Sequence, residues 1–141
     1  DQALSTLFGP IKAKDISFPS LALGPNPNQF LMCPLGFCAA SPHSVSPVFP
    51  IPMTALKTRW MEMLRSQPRI ELGASDDLEM QYELIQRTEL MRFPDSVTVK
   101  FIDVGPDQSS LAIYSRSHYG KSDFGVNETR IRNWLALINQ P

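Results

Sequence analysis

The chain is poor in the residues on which most enzyme and metal chemistry depends, with two histidines and two cysteines among its 141 residues. No Gly-x-Ser-x-Gly or His-Glu-x-x-His run occurs, and Ser44 and Ser117, which adjoin His43 and His118, face elsewhere in any regular backbone. No catalytic constellation is legible, and no enzyme activity is expected. Neither sign of charge is in excess: 13 Lys and Arg stand against 14 Asp and Glu, a net charge of -1. That balance supplies no basic field to displace counterions from a phosphate backbone, so nucleic acid is not an expected partner. No stretch approaches the roughly 20 consecutive apolar residues of a membrane-spanning helix. There is also no internal repeat or low-complexity run.

What is present suits one compact unit. With 43% apolar and 19% charged residues the chain can bury enough surface to offset its ordering entropy, and its length allows one core. It opens at Asp1 without an initiator Met or a basic-then-apolar leader. That opening is expected where a targeting segment has been removed or the sequence is a trimmed piece, and any anchor before Asp1 would decide whether the domain is tethered.

Nine of the 13 prolines lie between Pro10 and Pro52, where apolar periodicity is almost lacking, so this stretch is predicted to be irregular or extended. Beyond it, Thr54 reads as a helix N-cap, and Leu56, Trp60, Met63 and Leu64 share one face of a helix over residues 55–66 that Pro68 ends. The period then changes to two. Ile70 and Leu72 form one strand; Gly73 to Asp77 read as a turn; Leu78, Met80, Tyr82 and Leu84 alternate along a second strand. Val97, Val99 and Phe101 mark a third strand, and Leu111 and Ile113, after the Gly105-Pro106-Asp107 turn, a fourth. Asn127 reads as the N-cap of a closing helix carrying Ile131, Trp134, Leu135 and Ile138 on one side. The predicted class is α+β: a four-stranded antiparallel meander with two helices packed on it (residues 53–141), preceded by a proline-rich irregular arm (residues 1–52).

Three segments carry a wider likeness: Cys33-Pro34-Leu35-Gly36-Phe37-Cys38; Arg87 with Leu90-Met91-Arg92-Phe93-Pro94-Asp95; and Ser115 through Asn127 (Ser-Arg-Ser-His-Tyr-Gly-Lys-Ser-Asp-Phe-Gly-Val-Asn) with Arg130. From Asn26 onward the chain resembles a bacterial and plastid family known as domain of unknown function 1499. The resemblance implies an exported or membrane-attached protein and carries no established activity. The first 25 residues lie outside it.

Cys33 and Cys38 are the only cysteines, in a loop that Pro34 and Gly36 bend, and an even count in an apparently exported domain favours a disulfide that fixes a local turn. The spacing is not that of a redox-active Cys-x-x-Cys pair, no His follows Cys38 for haem attachment, and a metal would need two more ligands, with His43 the only nearby imidazole. No metal or cofactor is expected. Between Arg116 and Asn127, the glycines Gly120 and Gly125, with Ser122 and Asp123, can form an anion-binding nest at a helix N-terminus. The favoured reading is structural: the glycines allow a tight strand-to-helix connection, Asp123 pairs with Arg116 or Arg130, and Asn127 caps the helix. Arg87, Arg92 and Arg116 would suit an anionic headgroup or a partner's carboxylate if strands bring them to one face, although solvation is the commoner fate of strand arginines.

The arm's Leu7, Phe8, Phe18, Leu21, Leu23 and Phe30 are too apolar for a solvated linker, so the arm is expected to lie either on its own sheet or on a larger protein. Two functions are expected. The first is a non-catalytic accessory or assembly subunit of a larger periplasmic or membrane-associated complex, such as a membrane-bound dehydrogenase or electron-transfer complex, docking through residues 1–52 on the outer face of the inner membrane. The alternative is a cell-envelope domain that binds a small apolar or anionic-lipid ligand in a cavity between sheet and helix, with the arginines on its acidic head.

Overall fold

A computed structural model describes residues 16–120 and 125–139. Six strands form one mixed sheet: β1 (Gln29–Cys33), β2 (Ser44–Val45), β3 (Ile70–Asp76), β4 (Gln81–Arg87), β5 (Pro94–Gly105) and β6 (Gln108–Ser117). They lie in the order β2-β1-β6-β5-β4-β3, with only β1 and β2 parallel. The helices α1 (Met53–Arg65) and α2 (Val126–Ile138) cover one face. The α+β class and the β3–β6 meander agree with the sequence reading. The sheet is larger than the four strands expected, because the proline-rich segment supplies β1, which pairs with β6 from Gln29↔Arg116 to Met32↔Ile113.

β1 was illegible for a physical reason. Phe30 and Met32 enter the core beneath the helices, whereas Leu31 and Cys33 enter a second core on the opposite face, so Gln29-Phe30-Leu31-Met32-Cys33 shows no polar alternation. The second core holds Phe18, Ala112 and Tyr114, with Leu21, Leu23, Phe37, Cys38 and Ile102 packed against it. The described part of the arm therefore forms the third layer of its own domain. The main core is built from Leu56, Trp60, Val97, Val99, Leu111, Ile113 and Ile131, all fully buried. Trp60 meets Trp134 and Phe101 edge-on, at centroid distances of 5.6 and 6.2 Å. Burial of each such side chain contributes about 1.5–3 kcal/mol.

Three local expectations are corrected. The strand predicted to start at Leu78 begins at Gln81, and Gly73 to Asp76 belong to β3 rather than to a turn. The reversal occupies residues 77–80, where Asp76 Oδ1 accepts from the Glu79 amide at 3.1 Å and Tyr82 donates its hydroxyl to Asp77 at 2.6 Å. Gly73 is glycine because β4 crosses close: a Cβ there would sit 3.3 Å from the Glu83 carbonyl oxygen, next to a register shift between Leu72 and Ser75. Neither predicted N-cap serves. Helix α1 starts after Pro52 and α2 after Gly125, whose φ of 84° favours glycine. Thr54 and Asn127 lie inside the first turns.

Candidate functional site

Residues from four elements meet under the amino end of α2. Arg130 reaches from α2 into the sheet: Nε donates to Gln86 Oε1 at 2.6 Å, Nη1 to Ser115 Oγ at 2.9 Å and Asn127 Oδ1 at 2.8 Å, and Nη2 to Asp95 Oδ2 at 2.7 Å. Ser115 donates to Asn127 Oδ1 at 2.6 Å, and Asn127 Nδ2 donates to the Asn28 carbonyl and to Ser117 Oγ, each at 3.0 Å. Gln86, Asp95 and Ser115 are presented here because each continues the helix-facing alternation of its strand past the last apolar residue. All five side chains are buried, with Arg130 and Asp95 side chains 5% and 2% exposed. A buried guanidinium persists only when its hydrogen-bonding capacity is met, and here a carboxylate and three neutral acceptors meet it. The cluster pins α2 to β1, β4, β5 and β6. Asn127 acts through its inward side chain rather than as a cap, and Arg130 pairs with Asp95; Asp123, like Ser122, lies outside the described residues.

Above the cluster opens a cleft of about 520 Å³, walled by Pro68 and Arg69 after α1, by Thr88 and Glu89 after β4, and by Gly125 and Thr129 of α2. Arg69 stands at its side. Its backbone is left-handed, with φ 58°, and is held by the Arg87 amide donating to its carbonyl at 3.1 Å. Its Nε donates to the Arg87 carbonyl at 2.9 Å. Neither Nη group of Arg69 makes a hydrogen bond to the described residues, and Arg69 lines the cleft. The partial positive charge at the start of α2 borders the same space, and Glu128 in its first turn is engaged by Arg132 at 2.7 Å. Among the described residues Glu89 is the single carboxylate in the wall.

Of the other predicted arginines, Arg87 and Arg116 share no hydrogen-bond partner. Arg87 and Arg116 lie on the sheet face away from the helices, with β5 between their strands. Arg87 donates to Glu71 Oε1 at 2.9 Å and to the Arg92 carbonyl at 3.2 Å. Arg116 donates to Thr98 Oγ1 at 2.8 Å and lies over the Tyr114 ring at 4.9 Å. Burial lowers the Arg116 pKa below its ordinary value, against the opposing influence of Tyr114 and Glu83. Gly120, with φ 86°, accepts from Asn28 Nδ2 at 2.9 Å and so ties the end of β6 to the start of β1.

Cys33 and Cys38 form a disulfide, with Cα atoms 6.4 Å apart, closed around a turn in which the Phe37 amide donates to the Pro34 carbonyl. The expected docking residues are otherwise engaged: Phe18 and Phe30 are 0% and 5% exposed inside the domain's own cores, and Leu21 and Leu23 pack against the second of them. Leu7 and Phe8 lie outside the described residues. A second cavity, of about 570 Å³, separates residues 16–19 from the β3–β4 turn, but Asp76, Glu79 and Glu83 line it with Lys100, whose Nζ is bound to Glu79 Oε2 at 3.1 Å. Sequence reasoning missed Arg69, because nothing in the local pattern around Pro68 signals a cleft. It also missed the contact of Ser96 Oγ with His118 Nε2, made across the β5–β6 pairing; neither residue lines either cavity. His43 accepts from the Leu31 amide at Nδ1, 2.9 Å away, and stacks on Phe30. Among the described residues no group of three His, Cys, Asp or Glu side chains is placed to hold a metal ion, and no helix is long and apolar enough to cross a membrane.

Fold and cleft define an α+β domain with an internal disulfide and a cationic pocket at the amino end of its last helix. The chain belongs to the family described as Protein of unknown function (DUF1499), whose model matches residues 22–138. No curated protein matches it.

Proposed function

We propose that this chain is a non-catalytic recognition domain of the cell envelope that receives an anionic group, a carboxylate or a phosphate, in the cleft at the amino end of α2. Arg69 carries the proposal: it lines a cavity large enough for a small ligand, its Nε donates to the Arg87 carbonyl, and planar guanidinium donors suit both oxyanions. Two segments that carry the family likeness contribute to the wall, through Arg87, Thr88, Glu89, Gly125 and Arg130, and to the cluster beneath it, through Asp95, Ser115, Asn127 and Arg130. An exported location is supported by the disulfide, which persists in oxidising compartments. Titration of labelled protein with glycerol phosphate should shift the Arg69 Nε signal and the amides of residues 125–129, and Arg69→Ala should remove the shifts. Unchanged spectra at tens of millimolar ligand, an order of magnitude beyond weak binding, would refute the cleft.

The accessory-subunit reading is supported by the exposed apolar side chains Leu72, 74% exposed on the edge strand β3, and Leu78, 96% exposed in the turn that follows it, since an unpaired edge strand can take a partner's strand. That edge is offered in place of Phe18 and Phe30, which are committed to the domain's own packing.

A further inference from the structure

The loop that leaves the cleft ends in two adjacent apolar side chains, Leu90 at 89% and Met91 at 59% exposure. A leucine so exposed stands clear of its neighbours on every side. The loop presenting it is closed by hydrogen bonds: the Thr88 amide to the Phe93 carbonyl at 2.9 Å, the Arg92 amide to the Thr88 carbonyl at 3.0 Å, the Phe93 amide to Thr88 Oγ1 at 2.9 Å, and Arg87 Nη1 to the Arg92 carbonyl. Phe93 packs against Tyr119 at its base, with ring centroids 5.8 Å apart. The tip is therefore held out rather than collapsed onto the fold, at the cost of a left-handed Arg92 (φ 57°).

Thr88 and Glu89 line the cleft and Leu90 and Met91 follow directly, so the tip lies about 7 Å of chain or less beyond the cleft wall. Apolar side chains projecting next to an arginine-lined cleft match a bilayer surface, where apolar groups enter about 5–10 Å into the headgroup/acyl boundary while cationic groups are drawn to the anionic headgroups. We propose that this end of the molecule docks on an anionic phospholipid surface, with Leu90 and Met91 entering the acyl boundary and a lipid phosphate seated at Arg69. This rests on the anion-cleft reading and names its ligand class. The exposed Leu72 and Leu78 do not offer the same fit, since Glu71, Asp76, Asp77 and Glu79 surround them in sequence and would repel an anionic surface. Glu89 opposes docking at the proposed site, and its removal serves as a probe.

The test is co-sedimentation of the full chain with vesicles of phosphatidylcholine alone and of phosphatidylcholine with phosphatidylglycerol, alongside glycerol phosphate titrations in solution. The wild type should bind the anionic vesicles and bind neutral ones much less. Leu90→Ser/Met91→Ser should weaken vesicle binding by at least about ten-fold, as expected for two lost apolar anchors, while leaving glycerol phosphate shifts intact. Arg69→Ala should lose both, and Glu89→Gln should bind vesicles more tightly. Failure of the wild type to bind anionic vesicles while glycerol phosphate still titrates Arg69 overturns the membrane proposal and leaves the cleft standing. Equal vesicle binding by the Leu90/Met91 variant also overturns it, as does capture of a host protein through this tip without vesicle binding. Loss of both vesicle and glycerol phosphate binding in the wild type overturns both readings.

Discussion

Replacing Asp95 by Ala removes the carboxylate that, among the described residues, pairs with the buried Arg130 guanidinium, whose side chain is 5% exposed and cannot recover its hydration without displacing α2. Removing one partner of a buried pair costs about 3–5 kcal/mol, because the other charge stays desolvated and unpaired. A domain of this size loses roughly 3–4 °C of Tm per kcal/mol, so Asp95→Ala is expected to melt about 10–20 °C lower. Asp95→Asn keeps an acceptor opposite Nη2 while removing the charge, and should fall between Asp95→Ala and wild type. Arg130→Lys should be nearly as damaging as Arg130→Ala, since one ammonium cannot reach Gln86, Ser115, Asn127 and Asp95 together. Calorimetry gives the Tm values, and urea unfolding followed by tryptophan fluorescence gives the free energies; Trp134 on α2 is in contact with Trp60, so the probe reports the helix itself. The decisive quantity is the Asp95→Ala/Arg130→Ala double-mutant cycle, expected to show coupling above about 1 kcal/mol. A Tm drop under about 3 °C for Asp95→Ala, or additivity within about 0.5 kcal/mol, would refute the view that this pair anchors α2.

The acid limb of stability should depend on Asp77, whose pKa is lowered from its ordinary 3.8 by the hydrogen bond from Tyr82 and then by Lys57. A lowered carboxyl pKa contributes stability above 3.8 that is lost as pH falls through the folded-state value, so Asp77→Asn should flatten the Tm profile below about pH 4; an unchanged profile would count against the Tyr82–Asp77–Lys57 contact. The Ser96–His118 contact pairs a hydroxyl with an imidazole, the arrangement by which a serine nucleophile is activated. A fluorophosphonate probe is expected to leave Ser96 unlabelled, and labelling abolished by His118→Ala would replace the non-catalytic reading with an acyl-transfer one.

Much of the architecture was legible wherever one face of an element is wet. Trp60 and Leu64, Val97 and Val99, and Ile131 and Trp134 each sit at the helical or strand spacing of a single apolar side, and all of them are in the core. The reading broke down where that condition fails. β1 is covered on both faces, so its run of apolar residues carries no period, and Pro-rich flanks disguised it as an arm. β3 is a sheet edge with six of its seven residues exposed, so its Gly73-Ala74-Ser75 stretch looks like a turn although β4 pairs with it on both sides of the shift.

The amino-acid sequence by itself determined the α+β class, the two helices, the β5–β6 hairpin, the cysteine pairing and the family, because each rests on local spacing or on contiguous motifs. Tertiary structure alone decided which polar residues act together. Gln86, Asp95 and Ser115 lie on three different strands, and only the strand register and the seat of α2 bring them onto Arg130. The same is true of Arg69, which becomes the open side of a cleft only when β4 holds its backbone and the start of α2 faces it. Long-range hydrogen bonding of this kind has no period and no motif, since it depends on which strands become neighbours.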